Sequence, residues 1–258
     1  MDLNLKEKVA IVTGSSRGIG RAIAQGLLAE GCRVTVCGRD RVALEKAAAE
    51  LKAETGGQLL AVAADGTKAD DAGRVVEETA RAFGALHILV NCFGRIPGAG
   101  KFLETTEAQW ALGVDSNIMA PVRFSRLAAP QMQRAGGGVI INIASIWGRE
   151  SGGAAVYNAT KAAEIALAKS LSRELAPFNI RVNSVAPGSI LFPGGAWDKR
   201  LQEDPEGMAR FVKADIPFGR FGTVEEVADV VVFLCSERAR WITGACITVD
   251  GGQSRSNI

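Results

Sequence analysis

Tyr157 and Lys161, one helical turn apart, are the two side chains whose types and spacing most directly describe a reaction. A free phenol ionises near pH 10 and is a poor proton-transfer group at neutral pH. An ammonium at i+4 lies on the same helical face, favours the phenolate and brings the group toward the working range of an acid–base catalyst. Ser145 stands just past the carboxyl end of the apolar run Val139–Ile143, twelve residues before Tyr157. Its hydroxyl suits a hydrogen bond to a substrate oxygen on which charge develops. Alone, a Tyr and a Lys at this spacing mostly mark a solvated helix face. Here Tyr157 is the only tyrosine of the chain and the serine precedes it at a strand end.

The remaining chemistry-bearing residues are sparse. A single histidine, His87, excludes catalysis by a histidine pair and metal sites built mainly on histidine, so no metal is expected. The five cysteines (Cys32, Cys37, Cys92, Cys235 and Cys246) are odd in number and contain no C-x-x-C pair. That argues against a disulfide framework or zinc site and fits a reducing cytoplasm. Net charge is +2 with no basic stripe, which gives no sign of a nucleic-acid partner. The N-terminal stretch lacks the basic-then-apolar order of a secretory signal, and no apolar run has the length of a membrane span.

A second set of residues reads as a phosphate site. The run Val9–Thr13 leads into Gly14, Ser15, Ser16, Arg17, Gly18, Ile19 and Gly20, and a helical pattern follows. Glycines let a backbone approach a ligand, and the helix N-terminus beyond offers free N–H groups to a pyrophosphate. The spacing is G-x-x-x-G-x-G rather than the commoner G-x-G-x-x-G. At the end of the second strand an acid would hold the ribose 2′-hydroxyl of NAD, whereas an arginine suits the 2′-phosphate of NADP. The chain has Gly38 there, followed by Arg39, and Arg17 reaches the same place. Two guanidiniums around one phosphate favour NADP(H) over NAD(H). The alternative is that both arginines are solvated surface residues and that Asp40 merely caps the next helix.

Elements that could position these groups are visible as alternating runs. Short, nearly continuous Val/Ile-rich stretches fall at Val9–Thr13, Arg33–Cys37, Leu59–Ala63, His87–Asn91, Val139–Ile143, Arg181–Val185 and Cys246–Val249, as parallel strands buried on both faces do. Helical spacing fills Gly18–Glu30, Arg41–Glu54, Ala69–Phe83, Thr105–Arg134, Ala154–Ala176 and Thr223–Cys235, the last opening on a capping box from Thr223 to Glu226. This predicts a single α/β domain over residues 1–258, a Rossmann-type doubly wound sheet of seven parallel strands with helices on both faces. The Pro/Gly-rich segment at about 188–222 follows the sixth strand at the ligand-binding edge and reads as a substrate lid. Inside the Thr105–Arg134 stretch, Pro121 removes the N–H partner of the Asn117 carbonyl. The resulting kink either frees that carbonyl for a water or serves packing alone.

Taken together, Thr13–Gly20, Asn91 to Gly94, Asn117, Ser145, Tyr157, Lys161, Pro187 and Gly188 resemble the short-chain dehydrogenase/reductase family along essentially the whole chain, most of all its 3-oxoacyl thioester reductases and related sugar or alcohol dehydrogenases. The resemblance implies a hydride transfer between NADP(H) and a ketone or secondary alcohol, with an oxidised nicotinamide further favouring the phenolate. It implies Tyr157 as general acid/base, Lys161 on the nicotinamide ribose, Ser145 on the carbonyl and Asn117 holding a relay water. It also implies Asp65 and Gly66 at the adenine, Asn91 steadying the central strands and, with Gly94, counted among the cofactor-binding residues, Ile190 offering its backbone to the carboxamide, and a homotetramer packed through the long helices at 105–134 and 154–176. A sugar or polyol dehydrogenase and a non-catalytic dinucleotide sensor are the alternatives; the complete set Asn117, Ser145, Tyr157 and Lys161 speaks against the sensor.

Departures from the family pattern set further expectations. Phe93 should reshape the adenosine-side wall, Phe192 should remove a hydroxyl contact to the cofactor, His87 should be a residue at the start of a strand, and Cys92 a small core residue rather than a nucleophile. Trp147, Phe192 and Trp197, with Met208, Phe211 and Phe218, either face an apolar or acyl substrate or pack among themselves. Lys199, Arg200, Arg210 and Lys213 would suit an acidic carrier protein, but Glu203, Asp204 and Glu206 are interspersed with them.

Overall fold

The computed structural model describes residues 2–98 and 101–257; Met1, Ala99, Gly100 and Ile258 lie outside them. Among the described residues the strands are β1 (Val9–Thr13), β2 (Arg33–Gly38), β3 (Leu59–Ala63), β4 (Ile88–Asn91), β5 (Gly138–Ile143), β6 (Ile180–Pro187) and β7 (Cys246–Val249). All pair in parallel, in the order β3-β2-β1-β4-β5-β6-β7. The order reverses between β1 and β4, and a crevice opens outside their carboxyl ends at such a switch point.

Strand residues alternate between two cores. Ala10, Val12, Val34 and Ile141 face one layer with Ile23 and Leu27 of α1 (Gly18–Ala29), Leu44 of α2 (Arg41–Thr55) and Val231 of α9 (Val224–Cys235). Val9, Ile11, Leu89 and Ile140 face the other, with Val75 of α3 (Ala69–Phe83), Phe124 and Met132 of α5 (Ala120–Arg134) and Ala168 of α6 (Ala155–Glu174). Burial on both faces is why the inner strands are apolar on successive residues, whereas the edge strands β3 and β7 are mostly half-buried. Asp40 caps α2 by accepting from the Ala43 N–H at 3.1 Å. Thr223 and Glu226 form the reciprocal capping box of α9.

The stretch read as one helix from Thr105 to Arg134 is broken. A 3₁₀ turn at Phe102–Glu104 precedes α4 (Glu107–Val114), which runs through a π-helical turn at Asp115–Met119 into α5. Pro121 sits in the first turn of α5, so the interruption predicted from its missing N–H takes the form of a π-turn centred on Asn117. The segment 188–222 is more ordered than its Gly/Pro content suggested, since it carries α7 (Ala196–Glu203) and α8 (Pro205–Asp215). Its two ends meet where Ile190 bridges Gly222 and the Leu191 N–H donates to the Gly222 carbonyl at 2.9 Å. No helix among the described residues is long and apolar enough to cross a membrane.

Candidate active site

The glycine turn is preformed. Gly14 and Gly18 hold φ of 66° and 58°, a region open mainly to glycine. A Cβ on Gly14 would come 2.9 Å from the Cys92 carbonyl, and one on Gly20 would come 2.5 Å from the Gly14 carbonyl. The Ser15 hydroxyl fastens the turn by donating to the Val12 carbonyl at 2.7 Å and accepting from the Cys37 N–H at 3.0 Å. Thr13 accepts from the N–H groups of Cys92 and Phe93 at 2.8 and 3.1 Å, which joins β1 to the β4 end. Helix α1 starts at Gly18 without a side-chain cap, leaving its first N–H groups directed at the cleft. A backbone cradle at a helix N-terminus, with the Phe192 ring against Gly18, fits a dinucleotide pyrophosphate.

Arg17 and Arg39 are both exposed on the rim of this cleft with Ser16, Gly38 and Lys46. Arg21, by contrast, is tied to Glu54 and Glu50 at 2.8 and 3.4 Å. Gly38 is buried, and a Cβ there would meet Ser16 Oγ at 3.4 Å, an ordinary contact, so the position expected of an acid has room for a side chain but carries none. Farther along the crevice, Asp65, Gly66, Phe93 and Gly94 line a recess that Arg39 also borders. Asp65 Oδ1 accepts from the Thr67 N–H and hydroxyl, which fixes its turn. Phe93 does shape this wall: its ring packs on Phe124 with centroids 6.0 Å apart and leaves Gly66 no room for a side chain. Asn91 is buried beneath the cleft, where its Nδ2 donates to Asn142 Oδ1 at 2.9 Å and so links β4 to β5.

The acid–base candidates meet the glycine turn in one cleft. Ser145, Tyr157 and Lys161 line it together with Gly14, Arg17, Gly18, Ile19 and Gly20, and with Pro187, Gly188 and Ile190 from the other side of the switch point. Ser145 is buried at the end of β5, and its Oγ accepts from the Trp147 N–H at 3.2 Å, leaving the hydroxyl proton to be donated elsewhere. Lys161 Nζ lies 5.7 Å from the Tyr157 ring centroid. The Asn117 side chain clamps the loop after β4, accepting from the Arg95 N–H at 2.8 Å and donating to the Arg95 carbonyl at 3.0 Å. It also donates to Thr160 Oγ1 at 2.9 Å, one residue before Lys161, so the π-turn is fastened to α6.

One neighbour of the lysine was passed over in the sequence. Glu164 is buried beside Lys161, with Oε1 and Oε2 2.9 and 3.0 Å from Nζ. Its i,i+3 spacing from Lys161 on an inward face was the available signal. Burial opposes the charged form of Lys161, but the Glu164 carboxylate, with lesser help from Tyr157 and Cys92, overrides it and raises the ammonium's pKa. Burial likewise pushes the Glu164 carboxyl up to about 7 against the pull of Lys161.

Burial pushes the Cys92 thiol up to about 12, so it stays protonated and is no nucleophile. His87 Nδ1 accepts from the Val9 N–H at 3.0 Å, and burial followed by the charges of Lys8 and Arg33 lowers its pKa, as befits a neutral residue at a strand start. Trp147 stands edge-on to Tyr157 at 6.2 Å. Phe192 and Trp197 line the cleft. Phe211, however, stacks on Trp197 at 4.8 Å, and Phe218 is largely exposed, so the lid's aromatics divide between lining and self-packing. Among the described residues no group of three or more His, Cys, Asp and Glu could hold a metal ion.

A doubly wound sheet with this cleft at its switch point is the framework of a dinucleotide-dependent oxidoreductase, and comparison makes the class specific. The family model described as enoyl-(acyl carrier protein) reductase matches residues 14–254, and the chain belongs to the short-chain dehydrogenase/reductase family. The chain is 39% identical over 247 residues to 3-oxoacyl-(acyl-carrier-protein) reductase FabG of Staphylococcus aureus, covering 95% of this chain and 97% of that one. It is 37% identical over 251 residues to dehydrogenase/reductase SDR family member 4 of Oryctolagus cuniculus, covering 96% and 94%. Among solved structures it superposes on L-sorbose reductase from Gluconobacter frateurii, complexed with NADPH and L-sorbose, with a TM-score of 0.94 at 37% identity over 99% of this chain and 100% of that one.

Proposed function

We propose that the protein is an NADP(H)-dependent carbonyl reductase or alcohol dehydrogenase that uses Tyr157 as its general acid/base. The observation that carries this reading is the convergence of Ser145, Tyr157 and Lys161 with the glycine turn in one cleft. The dinucleotide, when bound, supplies the hydride. The chain's own groups do the rest. Gly14, Ser16, Gly18, Ile19 and Gly20 receive the pyrophosphate, Arg17 and Arg39 the 2′-phosphate, and Asp65 and Gly66 flank the adenine. Gly94, Pro187, Gly188 and Ile190 border the nicotinamide half. Ser145 donates to the substrate oxygen, Tyr157 transfers the proton, and Lys161 holds the ribose and favours the phenolate. Asn117 anchors the end of the proton path, and Asn91 supports it from below. NADPH bound to the L-sorbose reductase agrees with the choice of phosphate-bearing coenzyme.

The substrate we infer is a ketone carrying an apolar or acyl group, because Ile96, Phe192 and Trp197 line the cleft; Trp147, edge-on to Tyr157, is not among the lining residues. Segment 188–222 is its lid. An acidic carrier protein is disfavoured, since Arg210 pairs with Glu206 and Arg200 lies over Trp197. The five cysteines are free, in keeping with a reducing cytoplasm. A homotetramer packed through α4–α5 and α6 completes the reading. The test is a panel of ketones, including a 3-oxoacyl thioester, followed by NADPH absorbance, with Tyr157→Phe as control. Turnover should vanish in the variant while NADPH still binds. Retained turnover in Tyr157→Phe, or tighter binding of NADH than NADPH, overturns the roles of Tyr157 or of the two arginines respectively.

A further inference from the structure

Behind the proposed acid–base pair lies a charge that this chemistry does not require. Glu164 is 1% exposed, and both its carboxylate oxygens contact Lys161 Nζ, which also donates to the Ile143 carbonyl at 2.8 Å. Two of the ammonium's three N–H bonds suffice for the Ile143 carbonyl and the Glu164 carboxylate, which leaves the third for the ribose of the proposed coenzyme. Burying a carboxylate costs free energy even when it is paired, and an apolar side chain of similar size would avoid that cost. The carboxylate is also well placed to act on more than its partner. The Tyr157 ring centroid is 5.7 Å from Nζ, so a negative charge on the far side of the ammonium opposes the field that the phenol receives.

We propose that Glu164 is a positioning residue of this site: its carboxylate fixes the Lys161 ammonium and limits how much of that positive charge acts on the Tyr157 phenol. The inference rests on the reading of Tyr157 as the proton-transfer group. The titratable groups that act on the pair are Tyr157 on the same helix and the Cys92 thiol at the end of β4. From β5 come neutral groups, the Ile143 carbonyl and the Asn142 carboxamide, which donates to the Glu164 carbonyl. The π-turn faces the site with the Asn117 carboxamide, against which Gly94 also packs. Because burial raises the Glu164 carboxyl to about 7, the opposition to Lys161 is weaker below neutrality and stronger above it.

Tyr157 is the only tyrosine, so the tyrosinate ultraviolet band of the coenzyme-free protein reports on it alone. In Glu164→Gln the tyrosinate band should develop about one pH unit lower than in the parent, because the ammonium is then unopposed. The pH of half-maximal alcohol oxidation should move the same way. Glu164→Asp, whose shorter carboxylate retreats from Nζ, should show a smaller shift in the same direction and serves if the glutamine variant does not fold. A folded Glu164→Gln with an unchanged band overturns the proposal, and so does a shift to higher pH. The band requires neither coenzyme nor ketone. A shifted band in a protein that reduces no ketone therefore removes the proposed function while the Glu164–Lys161–Tyr157 coupling stands.

Discussion

At Gly94 a Cβ would lie 3.3 Å from Lys161 Nζ and 3.8 Å from Asn117 Oδ1, two groups of the proposed proton path. The position does not have a left-handed φ, so the cost of a side chain there is crowding of the lysine rather than backbone strain. Gly94→Ala should lower kcat about tenfold through displacement of Lys161, with little loss of thermal stability. Steady-state kinetics beside a melting curve checks this; a full-rate alanine variant would show that Lys161 has slack. That Tyr157, Lys161 and Ser145 share one cleft could be anticipated from the sequence, because residue type and spacing singled them out. Glu164 was not, because a glutamate on a helix reads as solvated until the fold shows that its face points inward.

Element-scale features were legible where one force dominated. Strands buried on both faces write themselves as Val/Ile runs, and the seven expected runs match the seven strands within a few residues. The π-turn at Asp115–Met119 left only Pro121 as a trace, because apolar spacing continues across it. Helices α7 and α8 were hidden by flanking glycines and prolines, although Pro205 in fact starts α8 with Asp204 as its cap. The box that opens α9 gives a measurable consequence. Removing its hydroxyl in Thr223→Ala should cost about 1 kcal/mol and lower Tm by about 2–4 °C, read by calorimetry. Glu226, whose carboxyl is held at about 2 first by Arg220 and then by the Thr223 N–H, adds a pH dependence. A carboxyl depressed by folding stabilises the native state above its ordinary 4.5 and loses that contribution as the pH falls toward 2. The Tm gap between parent and Glu226→Gln should therefore be present at neutral pH, close across that acid window and shrink with added salt.

For the whole molecule, the surface carries the informative residues. Leu112 and Val114 of α4, Met119 of the π-turn and Leu127 of α5 are all partly exposed apolar side chains on the path expected to pack against further copies. Light scattering should give a mass about four times 27.1 kDa, and Leu112→Glu with Leu127→Glu should reduce it. A mass equal to one chain in the parent would discard the tetramer. Coenzyme should stabilise the assembly by mass action: at a hundredfold excess over Kd, NADPH contributes about 2.7 kcal/mol and raises Tm by several degrees, whereas equal NADH should do less.

Trp147 sits in a slot with almost no tolerance. A side-chain carbon on Gly152 would fall 2.3 Å from the indole, one on Gly153 2.5 Å from its other edge, and Gly153 holds φ of 66°. Indole and glycines are thus a matched set that must be exchanged together: a descendant sequence has to surrender the tryptophan before either glycine can be replaced. Each such exchange would remake the edge-on support of the Tyr157 ring and so retune the proposed proton-transfer residue without replacing it.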